Sequence, residues 1–178
     1  GFDDVPTEGW RNDAVAWLRQ SGVTKGCSAT SFCPDEEMTR AQQLTFLWRY
    51  AGEPSAGPVS PFTDVPRGQY FSVPVDWAFN TNVTKGISQD PWLFGTTQSV
   101  TRAQAVTFLW RQAGEPEPSG PPTFGDVPAG QFFTDAVAWA AENGVTNGRN
   151  ADVFDPHAPV KRVEFAAFLS RYDDLNLN

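Results

Sequence analysis

The chain has 178 residues, enough for one domain with a hydrophobic core, and its 7 Trp and 14 Phe supply large pieces of buriable surface, which argues against disorder despite 15 Gly and 15 Pro. Its 21 acidic residues against 13 basic give a net charge of −8, which repels nucleic-acid phosphates and anionic lipid headgroups. No apolar run approaches the roughly 18–20 residues of a membrane-spanning helix, so an anionic partner would have to be held by locally placed Arg or Lys.

In chain order, Gly1-Phe2-Asp3-Asp4 starts directly in folded-type sequence with no signal peptide, as a mature fragment would. The first predicted helix covers about Asn12 to Gln20, with Ala14, Val15, Trp17 and Leu18 on its apolar side and Gly22 just beyond its end. Cys27 and Cys33 follow in a loop; an even count suits a small disulfide in an oxidising compartment, with two reduced thiols as the alternative. Their C-x5-C spacing is not the C-x-x-C of a redox catalyst. Thr39-x-x-Gln42 matches the capping box and opens a second helix, in which Ala41, Leu44, Leu47, Trp48 and Ala51 share one face. A Pro- and Gly-rich stretch from Gly52 to Pro58 then breaks the chain.

The same series then recurs twice. Phe2-Asp3-Asp4-Val5-Pro6 returns as Phe62-Thr63-Asp64-Val65-Pro66 and as Phe124-Gly125-Asp126-Val127-Pro128. Trp17 returns as Trp77 and Trp139, and Gly22-Val23-Thr24-Lys25-Gly26 returns with its last glycine at Gly86 and Gly148. Thr39-Arg40-Ala41-Gln42 becomes Thr101-Arg102-Ala103-Gln104 and then Lys161-Arg162-Val163-Glu164. Pro74 in the second copy is tolerable only in a first helical turn, so that helix is expected to start near it. Lys161 offers no cap hydroxyl, at a cost of about 0.5–2 kcal/mol, so the last helix is expected to have the loosest start. Each copy of roughly 50 residues is too small to bury a core alone. The reading is one domain, 1–178, of three repeats over 1–52, 61–114 and 123–173.

With F-x-D-V-P, an aromatic (Trp10, Phe71, Phe133), G-V-T-x-G, F-x-P and T-R-A-Q in order, each copy resembles the S-layer homology repeat. The resemblance implies an all-α fold: three helix-loop-helix repeats in a pseudo-threefold spindle around a central three-helix bundle, with grooves between prongs. It also implies a non-catalytic module on the extracellular face of a bacterium. Such a module binds an anionic, often pyruvylated, secondary cell wall polysaccharide and takes no cofactor. The expected partner is therefore that polysaccharide, with the chain a monomer or part of a larger surface protein; a protein-interaction or self-assembly scaffold is the alternative. Three departures stand out: the missing Thr at Lys161, Phe94-Gly95-Thr96 in place of Phe32-Cys33-Pro34, and a Cys pair confined to copy one.

Arg40, Arg102 and Arg162 are the central site candidates, joined by Thr39 and Thr101 at the caps. Each Arg falls at the first helical position, where a cation is disfavoured by roughly 0.3–1 kcal/mol unless an anion sits there. The competing reading pairs each Arg with Asp4, Asp64 or Asp126 inside the protein. Because Asp35-Glu36-Glu37 precede Arg40 and no acid closely precedes Arg102, the Arg102 groove is expected to be the best anion site. Gly26, Gly86 and Gly148 allow φ > 0 or close approach of a sugar. Trp92, in an irregular loop, is the candidate exposed platform, while Trp17, Trp77 and Trp139 are expected in the core. His157 is the sole histidine, no His/Cys metal cluster exists, and Asp152 and Asp155 lack EF-hand spacing. Neither a catalytic nor a metal site is expected.

Overall fold

Three backbone hydrogen bonds close a ring at the centre of the protein. Met38 N–H donates to the Val160 carbonyl at 3.0 Å, Val160 N–H to Val100 at 2.8 Å, and Val100 N–H to Met38 at 2.8 Å. All three side chains are fully buried. Each residue lies just before the second helix of its copy, so the ring ties the three copies head to tail.

The computed structural model describes residues 1–177. Among them are six helices: α1 (Trp10–Gln20), α2 (Arg40–Tyr50), α3 (Ser72–Asn80), α4 (Arg102–Gln112), α5 (Thr134–Glu142) and α6 (Arg162–Asp173). The fold is all-α apart from a two-residue hairpin, β1 (Ser88–Gln89) and β2 (Trp92–Leu93). Both capping boxes form. Thr39 Oγ1 accepts Gln42 N–H at 3.2 Å and Gln42 Oε1 accepts Thr39 N–H at 3.0 Å, with Thr101 and Gln104 paired alike. Pro74 is the third residue of α3, inside its first turn, so that helix begins two residues before the proline.

The sequence copy is not the packing unit. α3 packs on α2, α5 on α4, and α1 on α6, so the first helix of each copy lies on the second helix of the copy before it. Copy one closes the cycle by packing on copy three. At that closure Asp173 accepts from Trp17 Nε1 at 3.2 Å and Tyr50 Oη at 3.0 Å. Leu18, Leu44, Leu47, Leu109 and Leu169 are fully buried in one continuous core, each contributing about 1.5–3 kcal/mol. Trp77 and Trp139 are in that core at 4% exposure, while Trp17 is half-buried. The indole N–H groups of Trp48 and Trp110 donate to Pro54 and Pro116, folding each linker back on the helix that precedes it.

Candidate functional site: three inter-copy clefts

The second helices begin against the loop of the following copy. Arg40 N–H donates to Gln98 and Ala41 N–H to Thr96; Arg102 and Ala103 bond Ala158 and Pro156; Arg162 and Val163 bond Glu36 and Pro34. These bonds overturn one sequence-based expectation. The helix N-termini are not open anion sites, because their first amides are already taken by backbone carbonyls. They also give α6 the same two contacts as its counterparts. Lys161 N–H still donates to Glu164 Oε2 at 3.0 Å, so only the hydroxyl half of that box is missing.

The three arginines are buried, at 3% (Arg40), 2% (Arg102) and 4% (Arg162) exposure. Each Nε donates to a carbonyl of the next copy: Arg40 to Phe94 at 2.7 Å, Arg102 to Phe154 and Arg162 to Phe32 at 2.8 Å. Each guanidinium also lies over two phenylalanine rings. Arg40 is 4.9 Å from Phe94 and 5.3 Å from Phe108, with Arg102 between Phe154 and Phe168 and Arg162 between Phe32 and Phe46.

Asp4, Asp64 and Asp126 do not pair directly with these arginines. Their carboxylates accept two loop amides apiece: Phe32 and Cys33, Phe94 and Gly95, Phe154 and Asp155, all within 2.7–2.9 Å. Aspartate and arginine therefore grip the same loop from opposite sides. Gly86, at φ +76°, has no room for a Cβ, which would stand 2.5 Å from the Leu93 carbonyl and the Phe62 ring; Gly26 and Gly148 meet Phe2 and Phe124 in the same way.

The surroundings of the three arginines differ in charge. The cleft containing Arg40 has a volume of about 320 Å³ and is lined by Lys85, Gly86, Gln104, Arg111 and Phe132 among others. Among the described residues, no hydrogen-bond acceptor or carboxylate ion pair meets the terminal nitrogens of Arg40. Burial, then the nearby Arg111 charge, lowers the Arg40 guanidinium to about 10, against a smaller opposing pull from Asp64. It stays charged at neutral pH. Arg102 has the reverse surroundings: Glu164 Oε1 lies 3.5 Å from its Nη1 and also pairs with Arg149. Arg162 has its charge opposed by Glu36, Tyr70 and Asp4.

The expectation that the Arg102 groove is the best anion site therefore loses its premise. Of the acids that precede Arg40 in sequence, Asp35 pairs with Arg11 and Lys161, Glu37 accepts from Ser99, and Glu36 acts on Arg162, while Arg102 meets Glu164 and Asp155 of copy three.

Aromatic placement differs as well. Counting from Phe2, Phe62 and Phe124, the true counterparts of Trp10 are Tyr70 and Phe132, exposed at 52%, 58% and 60%. Phe71 and Phe133 are instead the residues before α3 and α5, and Phe133 is 2% exposed. Sequence reasoning missed Phe132 and Arg111 as cleft residues, although their copy-to-copy offsets were available. Trp92 is no open platform: it is half-buried, edge-on to Phe62 and Phe79.

Cys27 and Cys33 form a disulfide. Among the described residues the sole group with metal-ligand spacing is Asp4 with these two cysteines, whose sulfurs are bonded to each other. His157 is exposed at the surface and packs edge-on to Phe133. No described helix is long and apolar enough to cross a membrane.

Residues 1–42 and 123–166 match the S-layer homology domain. The chain is 23% identical over 172 residues to an S-layer protein of Bacillus thuringiensis subsp. finitimus, covering 97% of this chain and 21% of that protein. It is 32% identical over 117 residues to a cell surface protein of Thermoanaerobacter kivui, covering 63% and 15%. An amylopullulanase of Thermoanaerobacterium thermosulfurigenes is 24% identical over 174 residues, 94% of this chain but 9% of the enzyme. The matched segments, in copies one and three, place S-layer homology domains at both ends of the chain. The chain is a cell-wall anchoring module of the bacterial cell surface, on the extracellular side. It spans about a fifth or less of the length of these three relatives, and in the enzyme the matched stretch is a small part of the protein.

Proposed function

We propose that the chain anchors its parent surface protein by binding an anionic secondary cell wall polysaccharide, possessing a carboxylate such as a pyruvate ketal, in the cleft that holds Arg40. One observation carries this reading: Arg40, 3% exposed as a residue, has its Nε fixed by Phe94 while no carboxylate of the described protein meets its terminal nitrogens. A buried charge without a partner is costly, and a sugar carboxylate met by the free edge of the guanidinium fork relieves that cost. Arg111 and Lys85 line the same cleft and add attraction despite the overall charge of −8. Phe132, at 60% exposure, offers an apolar face to a sugar ring at the cleft edge.

Thr39 and Thr101 hold the helix caps, and Gly26, Gly86 and Gly148 let each loop pack against a phenylalanine. In this reading they shape the clefts, as Asp4, Asp64 and Asp126 do by fixing the loop amides.

Calorimetric titration with cell wall glycan fragments carrying the pyruvate ketal, and with the same fragments after its removal, tests the reading. Saturable binding of the acidic fragments alone is expected. Equal binding of both, or none with concentration-dependent self-association instead, would contradict it and favour a scaffold role.

A further inference from the structure

We propose that Glu164 closes the position beside Arg102 to an external anion from within, whereas Gln104, its equivalent in copy two, leaves the Arg40 cleft open to one. This rests on the anionic-glycan reading and names the residue that controls the site.

Positions 42, 104 and 164 are equivalent, yet two are Gln and one is Glu. Each uses one head-group oxygen in its capping box: Gln42 Oε1 on Thr39 N–H, Gln104 Oε1 on Thr101 N–H, and Glu164 Oε2 on Lys161 N–H. The cap thereby fixes the other head atom. In copy three that atom is Glu164 Oε1, which lies 3.5 Å from Arg102 Nη1 and pairs with Arg149. An internal carboxylate thus stands at the Arg102 cleft where a bound anion would stand. Glu164 has little solvent access, with 13% of its side chain exposed.

In copy two the corresponding head atom is the amide nitrogen of Gln104, a donor in the cleft lined by Arg40 and Arg111. A donor beside two guanidinium groups leaves no carboxylate among the cleft's lining residues, and Glu115 meets Arg111 from outside that lining at 3.6 Å. The loop position changes in step. Arg149, which pairs with Glu164, has Ile87 as its counterpart in the Arg40 cleft, so the acid and its extra cation occur together in copy three and are both absent from copy two. An anion entering the Arg102 cleft must displace a carboxylate already paired twice, whereas one entering the Arg40 cleft displaces water.

The test uses the whole chain and an N-acetylhexosamine glycoside bearing a 4,6-pyruvate ketal, titrated calorimetrically, with thermal melting to confirm folding. Gln104→Glu keeps the capping oxygen and is expected to weaken binding at the Arg40 cleft at least tenfold. Glu164→Gln also keeps the cap, and is expected to add one binding site that disappears again in the double variant Glu164→Gln with Arg102→Met. Wild-type binding that neither Gln104→Glu nor Glu164→Gln alters overturns the selector while leaving the anionic-glycan reading in place. Failure of the wild-type chain and of Glu164→Gln to bind the glycoside overturns both.

Discussion

Asp4 and Arg162 hold the two polar groups of one residue, Phe32: Asp4 accepts its N–H at 2.8 Å and Arg162 Nε donates to its carbonyl at 2.8 Å. The aspartate comes from copy one and the arginine from copy three, so the loop between them is a joint of the ring. Asp64 with Arg40 grips Phe94, and Asp126 with Arg102 grips Phe154, in the same way.

Replacing Arg162 by Ala therefore acts on stability before it acts on any ligand. It strips the Phe32 carbonyl of its donor, worth about 1–3 kcal/mol when buried, and removes a cation held between Phe32 and Phe46. The expected loss is about 2–5 kcal/mol by urea denaturation, with Arg162→Lys recovering little because an ammonium lacks the fork. A loss under about 1 kcal/mol would contradict the joint.

Gly86→Ala tests the close approach of loop and core. The substitution needs φ +76° and puts a Cβ 2.5 Å from the Leu93 carbonyl and the Phe62 ring. A cost of about 2–4 kcal/mol is expected from backbone strain and overpacking together. Gly114→Ala, at φ +87° with open space around it, is expected to cost less. Equal losses would mean that the Phe62 contact is immaterial.

Asp76 gives the protein a pH signature. Only 2% exposed, it accepts from Ser60 and pairs with Arg67 at 2.7 Å. Burial alone would raise its pKa, but the bonds to Arg67 and Ser60 together outweigh that and hold it below the ordinary carboxylate value. A depressed folded-state pKa stabilises the protein above the unfolded value of about 3.9, and the gain fades as pH falls through the folded value. Asp76→Asn is expected to be less stable than wild type at pH 7 and to approach it below about pH 4. A constant difference across a denaturation series from pH 7 to pH 3 would contradict this.

Reduction of Cys27–Cys33 should lower stability by about 2 kcal/mol, since the closed loop is short. For a chain of this size that corresponds to roughly 4–8 °C in Tm. Melting with and without a phosphine reductant reads it directly, and an unchanged Tm would mean the bridge is ornamental to the fold.

Much of this architecture was legible because it is local. The capping boxes at Thr39 and Thr101, the left-handed Gly22 just past α1 and the proline in the first turn of α3 all act within a few residues. The cyclic pairing was not legible. Nothing in the spacing of Ala14, Val15 and Leu18 says that α1 covers α6 of copy three and not α2 of its own copy. For the same reason, sequence neighbours misjudged the charges: Glu36 acts on Arg162, Asp35 pairs with Arg11 and Lys161, and Glu164 lies beside Arg102. Trp92 misled by its loop setting, because the copy-two hairpin turns it inward against Phe62 and Phe79.

The central claim is that an acidic sugar enters between copies, against Arg40. A heteronuclear NMR titration of the whole chain with the pyruvylated glycoside reads this residue by residue. The account predicts that the Arg40 side-chain Nε–H and the backbone amides of residues 84–87 shift together and saturate, while Arg102 Nε–H stays put. Shifts centred on Arg102, or none at Arg40 while the glycan binds elsewhere, would contradict it.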